Sequence, residues 1–381
     1  MRVWGITGTN GKTTTAWILA EFIRADASRR CAYVTTVEVD TGSRKLYTGY
    51  TTPPLAQLKE LFAEMERNGC TDCVMEVSSH AIHQNRTGDT VFAGGAFTNL
   101  SEDHLDYHKS MDEYFRVKLS FAERIAADFV RGQGWGGGIP AQAGRRDFPP
   151  FAVCMDGGYA GEMLAACGAL PLNAIPVSFR KPGFDLSGLQ LAGDYNKSNV
   201  LVAATLAEAA GVSRDLIQAK IPSLRPRWGR LELVPSQSRA DVYVDFAHTP
   251  DGLEKVLCAA RGFTKGRLWA VFGAGGDRDA AKRPLMGAAC DRLADEIVVT
   301  SDNPRSEDPM AIIADVLKGI GREVKVEADR AAAIGYALAS AGCGDTVLVC
   351  GKGHETTQEI AGVKHRFDDR EVVRAFRMQE T

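Results

Sequence analysis

From Arg2 to about Leu224, short apolar runs alternate with amphipathic stretches of helical period, a pattern that predicts parallel strands joined by crossover helices. Residues 2–7, 31–37, 71–77 and 92–98 read as strands, and residues 55–67 and 112–125 as helices. After Asn196 a helix pattern runs through Leu201, Ala204 and Leu206, and a second helix follows Ser213. Pro222, Pro226 and Gly229 then punctuate the chain before a new series begins, with strands at 242–245, 268–272, 296–300 and 346–350 and helices between them. The pattern implies two α/β domains, 1–225 and 226–381, with the boundary between them as the natural place for chemistry. Residues 131–150 break the rhythm with repeated glycine and proline and read as a surface loop.

Composition narrows the partners. Across 381 residues, 45 basic side chains face 48 acidic ones for a formal charge of −3, and no basic run occurs, so neither nucleic acid nor an anionic membrane is expected as partner. No segment approaches the roughly 18 apolar residues of a membrane span, and the chain opens on a strand rather than a signal peptide, so a cytoplasmic location is expected. The nine cysteines lie scattered in apolar stretches and read as reduced, mostly buried thiols; Cys70 and Cys73 lack the further ligands of a zinc site.

The densest chemistry lies at the start. Gly8-Thr9-Asn10-Gly11-Lys12-Thr13, followed by Thr14, joins the first strand to a helix pattern carrying Trp17, Leu19, Ala20 and Ile23. Strand, glycine turn and helix in that order make a phosphate cradle, because N–H groups of the turn and of the helix start point at one anion. Lys12 is placed to reach phosphate, and the Thr13 hydroxyl to hold Mg²⁺. The general motif would put its first glycine at position 6, which is Ile6 here; the glycines stand instead at Gly5 and Gly8. Glu76 closes a strand expected beside this loop, where a carboxylate can hold the metal of a nucleotide. By spacing alone His104 and His108 read as loop histidines capping a helix, and Lys118 as a solvated residue of an amphipathic helix.

Taken together, the stretches 7–15, 51–53, 76–80, 98–108, the pair Asn196 and Asn199, and 245–251, 273–287, 302–305 and 351–355 resemble the Mur ligase family, and within it the branch that adds the third peptide residue. The resemblance covers nearly the whole chain. It implies a central P-loop ATPase domain over 1–225, built on a mainly parallel sheet, and a Rossmann-like C-terminal α/β domain over 226–381. It implies an ATP- and Mg²⁺-dependent amide ligase acting through an acyl phosphate, for which a protein supplies positioning and positive charge around clustered anions. Lys12, Glu76, His104 and Lys118 become the catalytic set, with Thr13, Glu76, His104 and Lys118 toward metal, Lys118 as a carbamylated lysine. Gly8 to Thr14, Asn196, Arg230, His248 and Asp251 become nucleotide contacts, with Phe246 where the family usually carries tyrosine. Thr51, Thr52, Ser78, Gln84 and Arg86 would meet the glutamyl end of a peptide acceptor.

Asp302-Asn303-Pro304-Arg305 carries the choice of incoming amino acid in this resemblance. A diamino acid with a second carboxylate, such as meso-diaminopimelate, suits a guanidinium clamp at Arg305, and Arg283, Asp302, Asn303, Gly351 and Glu355 would surround the same ligand. Family members usually begin with a domain holding the UDP end of the acceptor, whereas residue 1 here already stands at the ATPase domain; a non-UDP acceptor, or a partner protein supplying that domain, is left open. A non-catalytic nucleotide-binding subunit is the contrasting reading. Two sets of metal-directed residues argue against it.

Overall fold

A computed structural model describes residues 1–133 and 147–377, in two compact units, 1–224 and 225–381. Most of the glycine-rich stretch 131–150 lies outside the described residues. In the first unit the strands are β1 (Arg2–Thr7), β2 (Cys31–Val34), β3 (Val39–Asp40), β4 (Lys45–Leu46), β5 (Asp72–Glu76), β6 (Phe92–Phe97), β7 (Pro150–Cys154) and β8 (Asn173–Val177). Its helices are α1 (Lys12–Arg24), α2 (Leu55–Arg67), α3 (Ser79–His83), α4 (Leu105–His108), α5 (Met111–Val130), α6 (Ala160–Gly168), α7 (Asp194–Ala209) and α8 (Arg214–Lys220). Among the described residues these strands form one sheet in the order β4-β3-β2-β5-β1-β6-β7-β8. β1 is central and parallel to both neighbours, pairing Ile6 with Glu76 and Thr7 with Phe97, and its inner positions are apolar on both faces because helices cover both. The chain leaves β1 toward β2 on one side and later builds β6, β7 and β8 on the other. Open α/β sheets bind ligands at such a reversal.

Several expected boundaries shift, most by one residue and two by more, for local reasons. The strand expected over 31–37 stops at Val34, because Thr35 turns the chain, its N–H and hydroxyl both donating to Glu38 O, and β3 returns antiparallel. The helix expected over 112–125 runs from Met111 to Val130, started by Ser110 Oγ accepting from Glu113 N, with Asp112 and Glu113 favourable in the first turn. β7 was not expected, and it begins on the last residue of the expected loop; Pro150 stands first in the strand, where its missing N–H does little harm, and all five residues are buried.

The second unit contains β9 (Glu232–Leu233), β10 (Asp241–Asp245), β11 (Leu268–Phe272), β12 (Glu296–Val299), β13 (Lys325–Val326), β14 (Thr346–Cys350) and a separate hairpin of β15 (Thr357–Ile360) and β16 (Val363–Arg366). Its helices are α9 (Pro250–Arg261), α10 (Lys282–Leu293), α11 (Pro309–Leu317), α12 (Arg330–Ser340) and α13 (Asp369–Ala375). The main sheet is ordered β13-β12-β11-β14-β10-β9, and apart from the antiparallel edge pair β9–β10 it is parallel. Val242, Val244, Val271, Val298, Val347 and Val349 pack against Ile334 and Leu338 of α12. Side chains of Thr249, Asp308, Asp329 and Asp368 cap the helices that follow them. All nine cysteines are free thiols and seven are buried, Cys258 and Cys343 being the exposed pair. Among the described residues no helix is long and apolar enough to cross a membrane.

Candidate active site

The phosphate loop is built from backbone that only glycine supplies cheaply. Gly8 has φ +148° and Gly11 φ +84°; a Cβ on Gly8 would collide with Thr98 Oγ1, and one on Gly11 with Asn199 Oδ1. The segment after β6 pins the turn: Thr98 Oγ1 donates to Asn10 O at 2.6 Å, Asn10 N donates to Asn99 Oδ1 at 3.0 Å, and Ser101 N donates to Thr9 Oγ1 at 3.1 Å. Gly8→Ala is therefore expected to lower nucleotide affinity at least about tenfold and to destabilise the first unit by about 1–3 kcal/mol, read by titration calorimetry and thermal unfolding. Thr13 is buried and Thr14 half-buried in the first turn of α1. Lys12 Nζ folds back on the turn, donating to Gly8 O at 2.9 Å and Thr9 O at 2.8 Å.

Lys118 is not a solvated helix residue. Its side chain is 1% exposed, donates to Gly8 O at 2.9 Å and stands 4.6 Å from the Tyr114 ring centroid. Burial, and then the charge on Lys12, push its pKa well below the usual lysine value, against a smaller pull from Asp103. Tyr114 was missed in the sequence; it precedes Lys118 by one helical turn, and its OH meets Thr9 Oγ1 at 3.2 Å. Glu76 is buried at the end of β5, with Thr36 N donating to Oε1 at 2.7 Å and Thr36 Oγ1 to Oε2 at 3.2 Å. His104 sits in left-handed backbone (φ 57°) before α4, 3.5 Å from Asp103 and with ring centroids 4.8 Å from His80. Its pKa falls to about 3, first through burial and then through His80, Lys12 and Lys118, against a rise due to Asp103, so its ring is neutral near pH 7. His108 is fully buried, its Nε2 2.9 Å from Ser79 Oγ.

The other residues expected in this unit gather around the same sheet end. Asn196, in the first turn of α7, donates to Ala192 O at 2.8 Å, and its Oδ1 accepts from Asn199, the residue facing Gly11. Thr52 Oγ1 donates to Glu76 O at 2.8 Å and accepts from Ser78 N at 3.1 Å, while the Thr36 and Thr51 hydroxyls meet at 3.1 Å. Arg86 donates to Thr52 O at 3.3 Å and to Gln84 Oε1 at 2.9 Å, so hydrogen bonds link the acceptor-directed residues near Glu76, with Thr52 itself fully buried. No group of three His, Cys, Asp or Glu side chains is placed to hold a metal among the described residues. A cation here would have to draw on Glu76 and His104 together with the Thr13 hydroxyl and a modified Lys118.

In the second unit Arg230 lies 4.4 Å from the Phe246 ring centroid, and His248 Nδ1 is 2.9 Å from Phe246 O. His354, which the sequence reading did not single out, lies against the same ring at 4.9 Å. Asp245 receives Leu231 N and Ala247 N, with its pKa raised by burial. Asp251 stands in the first turn of α9 and accepts from Lys255 at 2.8 Å.

The expected amino-acid residues divide. Asn303 donates to Glu355 Oε2 at 2.8 Å and, through Oδ1, accepts from the fully buried Lys352 at 3.1 Å. Lys352 also reaches Glu355 at 3.0 Å; its place between Gly351 and Gly353 was the missed signal. Asp302 is buried, and its Oδ2 accepts no hydrogen bond among the described residues. Gly351 has φ +116°, and a Cβ there would run into that same oxygen. Arg305 is also in left-handed backbone, φ 54°, a strain of about 1–2 kcal/mol for a non-glycine residue. Its guanidinium donates to Gly276 O. Arg283 pairs with Glu307 at 2.7 and 2.8 Å and with Asp315 at 3.0 Å, so its fork is shared with two carboxylates. Arg278 is exposed and shares the Gly275 surface with Arg305: a Cβ on Gly275 would stand 3.1 Å from Arg305 Nη1 and 4.0 Å from Arg278 Cγ.

Comparison with known proteins shows the family. Residues 6–130 match the family model "Mur ligase middle domain", and residues 229–353 match "Mur ligase, glutamate ligase domain". The protein named UDP-N-acetylmuramoyl-L-alanyl-D-glutamate--2,6-diaminopimelate ligase in Synechococcus elongatus is 40% identical over 391 residues, covering 98% of this chain and 76% of that protein. Its namesake in Ralstonia nicotianae is 41% identical over 396 residues, covering 98% and 75%. A solved structure of a ligase of that name superposes with a TM-score of 0.60 at 31% identity, covering 98% of this chain and 77% of that one. The folylpolyglutamate synthase of Mycobacterium tuberculosis, at a TM-score of 0.64 and 18% identity, covers 92% of this chain and 88% of its own and shares the fold. Identity at this level along 98% of the chain, with the strand ends and glycine turns that order the site, places this protein in the Mur ligase family.

Proposed function

We propose that this chain is an ATP-dependent, ADP-forming ligase that joins meso-diaminopimelate to the glutamyl carboxylate of a UDP-linked peptide acceptor. Support comes from the names of relatives about 40% identical over nearly the whole chain. The observation that carries the reading is the loop 302–305 itself, which holds both a partly exposed guanidinium, that of Arg305, and a buried carboxylate oxygen, Asp302 Oδ2, that accepts no hydrogen bond among the described residues. A diamino acid with two carboxylates offers partners for both. The test is ligation in the presence of Mg²⁺ and ATP, with the product identified by mass spectrometry. ADP formation that does not depend on both acceptor and amino acid would refute it.

Each residue has a physical task. Bound ATP would supply a phosphoryl group to the acceptor carboxylate, and the amine would then displace phosphate from the activated acyl carbon. The loop residues Gly8 to Thr14 hold the phosphates through backbone N–H groups at the start of α1, with Lys12 as point charge. Mg²⁺ would neutralise phosphate charge, and its hard oxygen preference fits Thr13, Glu76 and a carbamylated Lys118, with His104 beside them. Carbon dioxide adds to a neutral amine with loss of one proton, and the depressed pKa of Lys118 keeps that form available. Asn196 in the first unit, and Arg230, His248 and Asp251 in the second, are read as further nucleotide contacts. Thr51, Thr52, Ser78, Gln84 and Arg86 orient the acceptor carboxylate. In the second unit Asn303 and Glu355, oriented by Lys352, and Asp302 beside Gly351 would receive the ammonium groups, and Arg305 with Arg278 the distal carboxylate.

Selectivity follows from that clamp. L-Lysine carries the distal amine but nothing for Arg305 to bind, and a charge-assisted pair is worth about 1.5–3 kcal/mol. Preference for meso-diaminopimelate should be on the order of a hundredfold in kcat/KM, at about 1.4 kcal/mol per factor of ten. Arg305→Ala should erase most of it by harming the diaminopimelate reaction. Equal use of both amino acids by the unmutated protein would remove the specificity claim and leave the ligase assignment standing.

A further inference from the structure

The loop read as selecting the amino acid cannot hold its shape by itself. Arg305 sits in left-handed backbone and Asp302 keeps a buried oxygen without a hydrogen bond, so something outside residues 301–305 must impose the conformation.

Two side chains do so. Arg330 opens α12 with its side chain fully buried, donating through Nε and Nη2 to Asp369 at 2.7 Å each. Its remaining donors reach Ser301 O at 3.1 Å and Cys350 O at 2.9 Å. Ser301 follows β12 and Cys350 ends β14, two strands that flank β11 and do not pair with each other. One guanidinium therefore bridges β11 and ties together the residues just before Asp302 and Gly351. A cation at a helix N-terminus opposes the helix dipole, and a buried ion pair is weak evidence for stability, so stability alone does not account for this arrangement. From the other side, buried Gln358 of β15 donates to Asp302 O at 2.7 Å and Ser301 Oγ at 3.0 Å. Along the same strand Glu359 N donates to Asn303 Oδ1 at 2.9 Å, and Glu359 O accepts Arg305 N at 3.0 Å.

We propose that Arg330 and Gln358 are positioning residues for amino-acid selection: without touching the ligand, they hold Asp302, Asn303 and Arg305 in register with Gly351. This rests on the reading of 302–305 as the amino-acid site. The hairpin of β15 and β16, invisible in the sequence pattern, thereby acts as a fixed strap on that loop.

The test is steady-state kinetics of the full chain carrying Gln358→Leu or Arg330→Lys, with meso-diaminopimelate and L-lysine as competing amino acids. In each variant KM for diaminopimelate should rise about fivefold to tenfold, the loss of one or two site-ordering hydrogen bonds, and preference over lysine should fall by a similar factor. KM for ATP should stay within about twofold, since those contacts lie elsewhere. A merely structural role would instead lower kcat for both amino acids together and leave the preference intact, which would overturn the proposal. If Arg330→Lys does not fold, Gln358→Leu decides, because its side chain lies on a peripheral hairpin. Unmutated protein that shows no preference overturns the reading of the site itself; a preference that survives in folded variants overturns the positioning role alone.

Discussion

Lys12→Ala is expected to lower ligation by about 10²–10³-fold or more while leaving the protein folded. Losing one preorganised charge from a site where negative charge develops typically costs about 3–4 kcal/mol in the barrier. Lys12 is half-buried at the first position of α1, where alanine suits the helix, and its present partners include two loop carbonyls, Gly8 O and Thr9 O. With nucleotide bound, the same ammonium can turn to phosphate; without it the cradle keeps only its N–H groups. Stability should change by less than about 1 kcal/mol. Rates of ADP formation, nucleotide affinity and thermal unfolding read the three parts separately. Wild-type rates would refute the nucleotide assignment, and loss of folding would show that the lysine closes the loop structurally.

The Lys118→Ala variant should lose activity to a comparable degree, for a different reason. Its amine is fully buried on Gly8 O beside Lys12, an unfavourable place for a second cation, and burial favours the neutral form, whose nitrogen lone pair attacks carbon dioxide. Conversion to a carbamate replaces a disfavoured cation with an anion, and removing it leaves the clustered phosphates without that support. A short carboxylic acid should restore part of the activity by placing a carboxylate in the vacated space. Protein equilibrated with ¹³C-labelled carbon dioxide should show a carbamate resonance that Lys118→Ala lacks. Absence of that resonance from active unmutated protein would sink the modification, whatever the mutant's rate.

The strand, glycine turn and helix at the start were legible because they are local: an apolar run, two glycines and a helical period within 24 residues leave few other structures. β1, α2, β11 and β14 keep the very bounds their apolar pattern predicts, since strands and helices buried by crossover connections advertise themselves in hydrophobicity. Short pieces were not legible. β7 hid behind two prolines, and the hairpin of β15 and β16 has a polar, exposed second strand whose partner is only its own neighbour.

By itself, then, the sequence determined the α/β class, the two series of strands and helices, and the residue types able to handle phosphate, carboxylate and ammonium. Tertiary structure decided which of those side chains are open to chemistry. Lys118 and Arg283 show why: both stand on amphipathic helices as ordinary basic residues, and nothing within a few positions tells them apart. The fold buries one against Gly8 O, where desolvation disfavours its charge, and surrounds the other with Glu307 and Asp315, where two carboxylates fix it. Protonation and availability depend on groups far away in the chain, and only folding brings those together.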